Sequence, residues 1–153
     1  MTRLSPIRIV QPQSIVSATL TVPTPGEGFT EVTEDVRHFI RQAGAVDGAL
    51  FLFLRHTSAS LAIQENADPD VQKDLTTALR RLAPEDAGWI HDVEGPDDMP
   101  AHVKAMLTGV GLQIPVVQRA LALGQWQGIY LIEHRFQPHR REIVLQFIGS
   151  RGA

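Results

Sequence analysis

The segment that most constrains the fold of this chain is a short apolar run in its first half. Residues 49–54 read Ala-Leu-Phe-Leu-Phe-Leu, inside a segment 48–56 that we predict to be a β-strand. Because successive side chains of a strand point to opposite faces of its sheet, this strand is apolar on both faces. Such a strand is typical of the interior of a sheet, so we expect neighbouring strands on both sides of it.

The rest of the chain mixes strand and helix patterns without a regular order. Runs rich in β-branched residues predict strands, and apolar stripes with capping residues predict three helices. The predicted strands are 14–22, 112–118, 128–136 and 142–148, with 120–123 as a possible short addition, and the predicted helices are 30–44, 69–82 and 100–108. Because this order lacks the βαβ alternation of parallel sheets, it favours an α+β fold: a single compact domain over residues 1–153 with a largely antiparallel mixed sheet.

Composition removes several classes of function. The formal net charge of −3 gives no general attraction to a polyanion, so a nucleic-acid partner is not expected. The chain has no cysteine, which excludes thiolate catalysis and cysteine-ligated zinc. No apolar run approaches the roughly 18 residues of a membrane span, and no signal-peptide pattern opens the chain. We therefore expect a cytoplasmic protein without a membrane partner.

The densest polar stretch lies at 89–104 and is the first candidate site. Its first fourteen residues include two histidines, three aspartates and one glutamate, with few residues that form a core. The alternative is a solvated acidic loop in which Asp97 or Asp98 only caps the third helix. Capping would explain one aspartate but neither histidine. His102 lies in the first predicted turn, where the positive end of a helix favours a neutral imidazole and attracts anions.

Two further segments, 56–70 and 124–135, carry polar groups next to apolar strands. His56 ends the predicted strand 48–56 and is followed by Thr57, Ser58 and Ser60, whose hydroxyls suit either phosphate binding or turn hydrogen bonds. The later segment contains Trp126 and ends in a Glu-His-Arg triplet, 133–135. Mutual pairing of its glutamate and arginine would explain two of the three residues, and the basic run 139–141 is interpreted as a solvated hairpin turn.

Three histidines stand one in each of these segments. His56, His102 and His134 could meet in space as a zinc-type site that keeps one coordination position open. Sequence spacing alone does not decide whether they meet. The chain contains no His-Glu-x-x-His helix, Walker loop or Gly-x-Ser-x-Gly turn, so the familiar hydrolase and nucleotide-binding motifs give no support.

Together these blocks resemble the YjbQ family. The residues that carry the resemblance are His56-Thr-Ser-Ala-Ser60, Glu65-Asn-Ala-Asp-Pro-Asp-Val71, His91-x-x-Glu-Gly-x-Asp-Asp-Met-Pro-Ala-His-x-Lys104, Leu123-Gly-x-Trp-Gln-Gly-Ile-Tyr-Leu131 and Glu133-His-Arg135. The resemblance runs from the first predicted strand to Gly149. One departure is Gln118-Arg119-Ala120, at a place where a Gly-Arg pair is expected from the family.

The resemblance implies a compact α+β fold that assembles as a homotrimer, and a weak, secondary thiamine-phosphate synthase activity. The substrate would then be a phosphorylated or pyrophosphorylated small molecule. On this hypothesis Asp97 and Asp98 hold a divalent cation, either magnesium or a zinc-type ion, and His102 donates a proton to the leaving group. The remaining predicted substrate-binding residues are Thr57, Ser58 and Arg135 on phosphate, Trp126 stacked on a ring, and Ser60, Asn66, Glu94, Gln127 and Glu133 as further contacts.

Two other functions stay open at this point. A metal-dependent hydrolase would use His56, His102 and His134 around a divalent ion that activates water. A non-catalytic trimer would bind a phosphorylated metabolite without converting it. All three hypotheses require the separated polar segments to surround one cavity.

Overall fold

Eight strands and three helices follow one another in the computed structural model, which describes residues 2–152. The strands are β1 (Ser14–Thr24), β2 (Gly28–Glu31), β3 (Ala45–Leu54), β4 (Ala59–Glu65), β5 (Gly111–Val117), β6 (Ala120–Leu121), β7 (Gln127–Glu133) and β8 (His139–Arg151). The helices are α1 (Thr33–Gln42), α2 (Pro69–Leu82) and α3 (Asp98–Thr108). The predicted α+β class with three helices is confirmed, while β2 and β4 are strands that the patterning did not predict.

The strands form two antiparallel sheets. The larger has the order β1-β8-β3-β5-β6, and the smaller has the order β2-β7-β4. Strand β3 lies between β8 and β5, as its apolar sequence predicts. Only one of its faces is fully covered within the chain, because Leu50, Leu52 and Leu54 are buried whereas Phe53 is 55% exposed.

One apolar core joins the two sheets. It contains residues of both, including Leu52 and Phe147 of the larger sheet and Ile129 and Leu131 of the smaller one. Helix α1 adds Val36, Phe39 and Ile40 to this core, as its predicted stripe requires. Helix α2 has no fully buried residue and lies at the edge of the molecule.

Local side-chain chemistry sets where the first two helices begin. Asp68 caps α2 as predicted, since its carboxylate accepts the backbone N–H of Asp70 and Pro69 takes the first helical position. Helix α1 begins at Thr33, three residues later than predicted, because 28–31 pair with β7 instead. The Thr33 hydroxyl also accepts the N–H of Ile129, which ties the start of α1 to the centre of β7.

The turn between β5 and β6 departs from ordinary backbone geometry. Gln118 and Arg119 have φ angles of 50° and 68°, in the left-handed region that glycine occupies most readily. This is the place where the YjbQ resemblance leads us to expect a glycine. The turn is held by the N–H of Gln118, which donates to Asp47 Oδ1, and by the N–H of Arg119, which donates to the carbonyl of Val46.

Candidate functional site

The pairing of β4 with β7 decides which predicted residues can meet. Ala59 lies opposite Glu133 at one end of the pair, and Glu65 lies opposite Gln127 at the other. Six strand steps separate the two ends, which is about 20 Å. The hydroxyls near the start of β4 therefore lie far from Asn66, Trp126 and Gln127, and one chain does not bring the whole predicted set into a single pocket.

A cluster of histidine and aspartate side chains forms where the loop before α3 meets the first turns of that helix. The side chains of His91, Asp98 and His102 present ligand atoms that all lie within 4.8 Å of one another. His91 Nε2 is 2.8 Å from Asp98 Oδ2, and His102 Nε2 is 3.6 Å from the same oxygen. Asp98 and His102 are four residues apart and so lie on one face of α3. Helix α3 begins two residues earlier than predicted, which places this aspartate inside it.

A backbone carbonyl fixes the orientation of the His102 ring on the side that faces away from Asp98. Its Nδ1 lies 3.0 Å from the carbonyl oxygen of Thr57, and a carbonyl can only accept, so Nδ1 carries the proton. In the neutral ring the Nε2 lone pair then points toward the Asp98 carboxylate, another acceptor. Two acceptors directed at each other leave room for a cation between them. A backbone carbonyl behind a histidine is also a common second partner of a metal-ligating ring.

Arg135 holds the carboxylate side of this group. Its guanidinium donates to Asp97 Oδ2 at 3.0 Å, to Asp98 Oδ1 at 2.5 Å and to the carbonyl oxygen of Glu94 at 2.9 Å. One oxygen of Asp98 therefore accepts a hydrogen bond from Arg135, and the other lies next to the two histidines. Asp98 is 2% exposed, so this charge-assisted contact lies almost entirely out of water.

Asp97 is a structural link between α3 and the end of β7. Its Oδ2 also accepts the N–H of Phe136 at 2.8 Å. Burial would raise the pKa of the Asp97 carboxyl, but this N–H and Arg135 together hold that pKa below its usual value. Its side chain makes no cap hydrogen bond to α3, so the capping interpretation is wrong for Asp97. Its carboxylate is already engaged within the chain.

The buried partner of Glu133 is Arg141. The guanidinium of Arg141 donates to both carboxylate oxygens of Glu133, at 2.5 and 2.7 Å, and to Ser58 Oγ at 2.9 Å. The predicted pairing of Glu133 with Arg135 is therefore wrong at the level of the side chains. The run 139–141 is likewise not a solvated turn, because it begins β8 and its last residue is 4% exposed. Burial removes water from the Glu133 carboxylate, and the two hydrogen bonds from the Arg141 guanidinium offset that desolvation cost.

The three-histidine site of the sequence analysis does not form within the chain. Among residues 2–152, the histidine and carboxylate group close enough for a shared ion is His91, Asp98 and His102. His134 is 1% exposed and its Nε2 is hydrogen-bonded to Ser60 Oγ. Burial, with Lys104 nearby, lowers the pKa of His134 to about 4. His56 Nε2 accepts the N–H of Glu142, so its lone pair is used as well.

The remaining predicted contacts lie apart from this group. Trp126 is 58% exposed, and the side-chain oxygen of Gln127 accepts the N–H of Gly124 in a tight turn. Asn66 belongs to the same end of the molecule, where its N–H donates to the carbonyl of Trp126. Glu94 is nearer, with a carboxylate oxygen 3.8 Å from Arg135 Nη1. These four residues stay predictions as ligand contacts.

His91 is the site residue that the sequence analysis did not select. It was noticed only as part of the polar block 89–104. The available signal was the spacing His91-x6-Asp98-x3-His102, in which two residues share a helix face and the third returns over it from the preceding loop. Sequence cannot give the path of that loop, which is anchored by Arg135 from the bend that follows β7.

No helix within residues 2–152 has both the length and the apolar character needed to cross a membrane. The family model described as UPF0047 protein YjbQ-like matches residues 18–150. A UPF0047 protein of Synechocystis is 44% identical over 132 residues, which cover 86% of this chain and 90% of that protein. The UPF0047 protein YjbQ of Salmonella typhimurium is 41% identical, with coverage of 86% and 96%.

Solved structures give the same likeness. A conserved hypothetical protein of Thermus thermophilus is 38% identical with a TM-score of 0.75, covering 84% of this chain and 97% of its own. A protein of Clostridium acetobutylicum, described as an uncharacterised conserved protein of the YjbQ/UPF0047 family, is 34% identical with a TM-score of 0.76 and coverage of 86% and 98%. The matched region includes every residue of the group around Asp98.

Proposed function

This chain belongs to the UPF0047 family of YjbQ-like proteins, and on that premise we propose that it is a divalent-metal-dependent hydrolase of a small molecule. Its metal ligands are His91, Asp98 and His102. The convergence of two imidazoles and one buried carboxylate within 4.8 Å carries this proposal. Catalytic zinc sites commonly use three protein ligands of these types and keep a further position for water or substrate.

The residues of the chain supply the positioning that such a site needs. Thr57 fixes the tautomer of His102 through its carbonyl oxygen, and Arg135 fixes the rotation of the Asp98 carboxylate. When bound, a divalent ion here would polarise a substrate oxygen or lower the pKa of a water. The half-exposed ring of His91 leaves the group open to solvent on one side, where a substrate can approach.

Two other hypotheses are less well supported by the contacts. A synthase that binds phosphate through Arg135 would need guanidinium donors that already contact Asp97, Asp98 and the carbonyl oxygen of Glu94. Magnesium held by Asp97 would share this carboxylate with Arg135 and the N–H of Phe136, which both donate to Oδ2. A non-catalytic ligand-binding trimer would show the same metal group without turnover. The homotrimer itself is a proposal that rests on the family resemblance.

Metal titration with matched variants tests this proposal. Chelator-treated protein is titrated with zinc by calorimetry, using wild type, His91→Ala and Asp98→Asn, and the metal-loaded proteins are assayed with 4-nitrophenyl esters of carboxylic and phosphoric acids. We expect one zinc per chain, loss of binding in both variants, and ester hydrolysis only in the metal-loaded wild type. His38→Ala is the control, because it removes an exposed histidine on α1.

Equal zinc affinity in wild type and Asp98→Asn would contradict the assignment of the ligands. Stoichiometric zinc binding with no hydrolysis of any ester would instead support the non-catalytic reading. Product formation from a pyrimidine methyl pyrophosphate and a thiazole phosphate, without ester hydrolysis, would replace the hydrolase by the synthase.

A further inference from the structure

An apolar cavity beside the metal-ligand group lies between α3 and the end of β3. Its volume is about 590 Å³, within the range of roughly 300 to 1,000 Å³ that is usual for small-molecule pockets. Apolar side chains make most of its wall, and the polar lining residues are Arg55, His56, Thr57 and His102. The apolar lining consists of Phe53, Leu54, Ala105, Met106 and Val110.

His102 belongs both to this cavity and to the metal-ligand group. The ring lines the cavity, while its Nε2 faces Asp98 Oδ2 at 3.6 Å. A molecule that fills the cavity therefore reaches the edge of the proposed metal site without any rearrangement of the chain.

A hydrogen-bond donor is available on His56, which lines the cavity. Because His56 Nε2 accepts the N–H of Glu142, the ring is neutral and carries its proton on Nδ1. That N–H has no acceptor in the described part of the chain, and the ring lines the cavity. It is placed to donate to a carbonyl or carboxylate oxygen of a bound molecule.

The charge of the lining does not favour cations or highly charged anions. The lining includes the guanidinium of Arg55 and two imidazoles but no carboxylate. Arg55 is half exposed and already lies 3.5 Å from Glu142. A pyrophosphate needs several charge-assisted donors at close range, and this wall offers at most one guanidinium. A neutral molecule, or one with a single negative charge, suits it better.

We infer that this cavity binds the apolar body of a carboxylic ester, with the ester carbonyl directed at the group around Asp98. The inference rests on the proposed hydrolase and names its substrate class. In the reaction, the oxygen of a water molecule bonds to the carbonyl carbon and the bond from that carbon to the alcohol oxygen breaks. The alcohol leaves with one proton of the water, and a carboxylic acid remains.

Binding is tested with an apolar anionic dye and a pair of charge variants. The dye 8-anilinonaphthalene-1-sulfonate is titrated into chelator-treated protein and followed by fluorescence. Met106→Asp places a carboxylate on the cavity wall at an 80% exposed position, so the fold is retained. We expect its dye Kd to rise about tenfold, through repulsion and lost apolar contact. Leu107→Asp makes the same change on the next residue, outside the lining, and should leave the Kd unchanged.

Substrate class is tested with two esters that share one leaving group. Metal-loaded wild type should hydrolyse 4-nitrophenyl butyrate with a kcat/KM at least about tenfold above that for 4-nitrophenyl phosphate. Phe53→Ala should raise KM for the butyrate more than it lowers kcat, since the ring contacts only the apolar part. Zinc affinity should be the same in this variant as in wild type.

The two proposals fail in different ways. Dye binding that is equal in Met106→Asp and Leu107→Asp, or a preference for the phosphate ester, would overturn the cavity inference even if zinc binds as proposed. A change of molar mass in Met106→Asp by light scattering, with no dye bound to wild type, would identify the cavity as a contact between copies and would also overturn it. If wild type binds the dye as expected but binds no zinc, the metal proposal would be overturned instead.

Discussion

Arg135 decides how the Asp98 carboxylate is presented. One planar guanidinium contacts two aspartates and a loop carbonyl, so it fixes α3, the loop before it and the end of β7 relative to one another. A lysine keeps the charge but cannot span three acceptors with fixed geometry. At this scale the site depends on a residue that is a positioning residue and not a ligand.

Replacement of this guanidinium should weaken metal binding without unfolding the protein. We expect Arg135→Lys to raise the zinc Kd about 10- to 100-fold, the range usual for partners behind a metal ligand. The measurement is calorimetric titration, with thermal melting as a check that stability is kept. Arg140→Lys, at an exposed position in β8, is the matched control. An unchanged Kd in Arg135→Lys would show that Asp98 needs no such support.

The turn at 118–119 gives a second test at the scale of single residues. Gln118 has a φ of 50°, which costs a side-chain-bearing residue about 1 kcal/mol relative to glycine. Gln118→Gly should therefore raise the free energy of unfolding by roughly 0.5 to 1 kcal/mol in urea denaturation. The same change in the middle of β5, Gln113→Gly, should lower it. Destabilisation by Gln118→Gly would mean that the side chain makes a contact that outweighs the strain.

Between elements, a buried ion pair joins the two sheets. Glu133 ends β7 of the smaller sheet, and Arg141 and Thr24 reach it from β8 and β1 of the larger one. Burial would raise the pKa of Glu133, but these donors hold that pKa below its usual value. In the sequence, Glu133 stands at the end of a strand and Arg141 in a basic run. Their pairing cannot be predicted from the sequence, because it depends on how the two sheets face each other.

Removal of one partner of this pair should be severely destabilising. We expect Arg141→Met to lower the free energy of unfolding by about 3 to 5 kcal/mol, because the Glu133 carboxylate is left buried without a cation. The neighbouring substitution Arg140→Met, at an exposed position, should change it by less than about 0.5 kcal/mol. The double variant Glu133→Gln with Arg141→Met should recover part of the loss. A mild effect of Arg141→Met in urea denaturation would indicate that water reaches the pair.

His134 links β7, β4 and α3 through Ser60 and Thr108, and it predicts a pH dependence. Its folded pKa of about 4 lies below the ordinary 6.5, so on acidification the unfolded chain binds the proton first. The contribution of His134 to the free energy of unfolding is therefore complete above pH 6.5 and is lost as the pH falls toward 4. Between pH 6.5 and 5 the loss should be about 1.5 kcal/mol in wild type.

Urea denaturation at a series of pH values measures this loss. His134→Gln should give a flatter profile in the same window, although its stability at pH 7 is lower. His38→Gln, on the exposed face of α1, should keep the wild-type slope. A slope in His134→Gln equal to that of wild type would assign the titration to another group.

For the whole molecule, local patterns predicted the three helices and most of the strands but not their assembly. The apolar run of β3 gave its central place in a sheet, and Asp68 with Pro69 gave the start of α2. The division into two sheets could not be predicted, because β2 and β4 are short and owe their existence to pairing with β7. Of the proposed ligands, Asp98 was expected to hold a cation together with Asp97, and His102 was grouped with His56 and His134 by residue type, without knowledge of their positions.

The larger sheet has an exposed face that includes an aromatic side chain. Phe53 and the cavity beside it are uncovered within one chain. The family resemblance implies a trimer, and light scattering of the wild-type protein would test that expectation directly.

The central claim is that His91, Asp98 and His102 bind one divalent ion. Crystals of the wild-type protein grown with one equivalent of zinc, and measured at the zinc absorption edge, test it most directly. The account predicts one anomalous peak per chain at about 2.0 to 2.2 Å from a nitrogen of each ring and an oxygen of Asp98. A peak bound elsewhere, or no peak while the His91–Asp98 hydrogen bond stays intact, would contradict it.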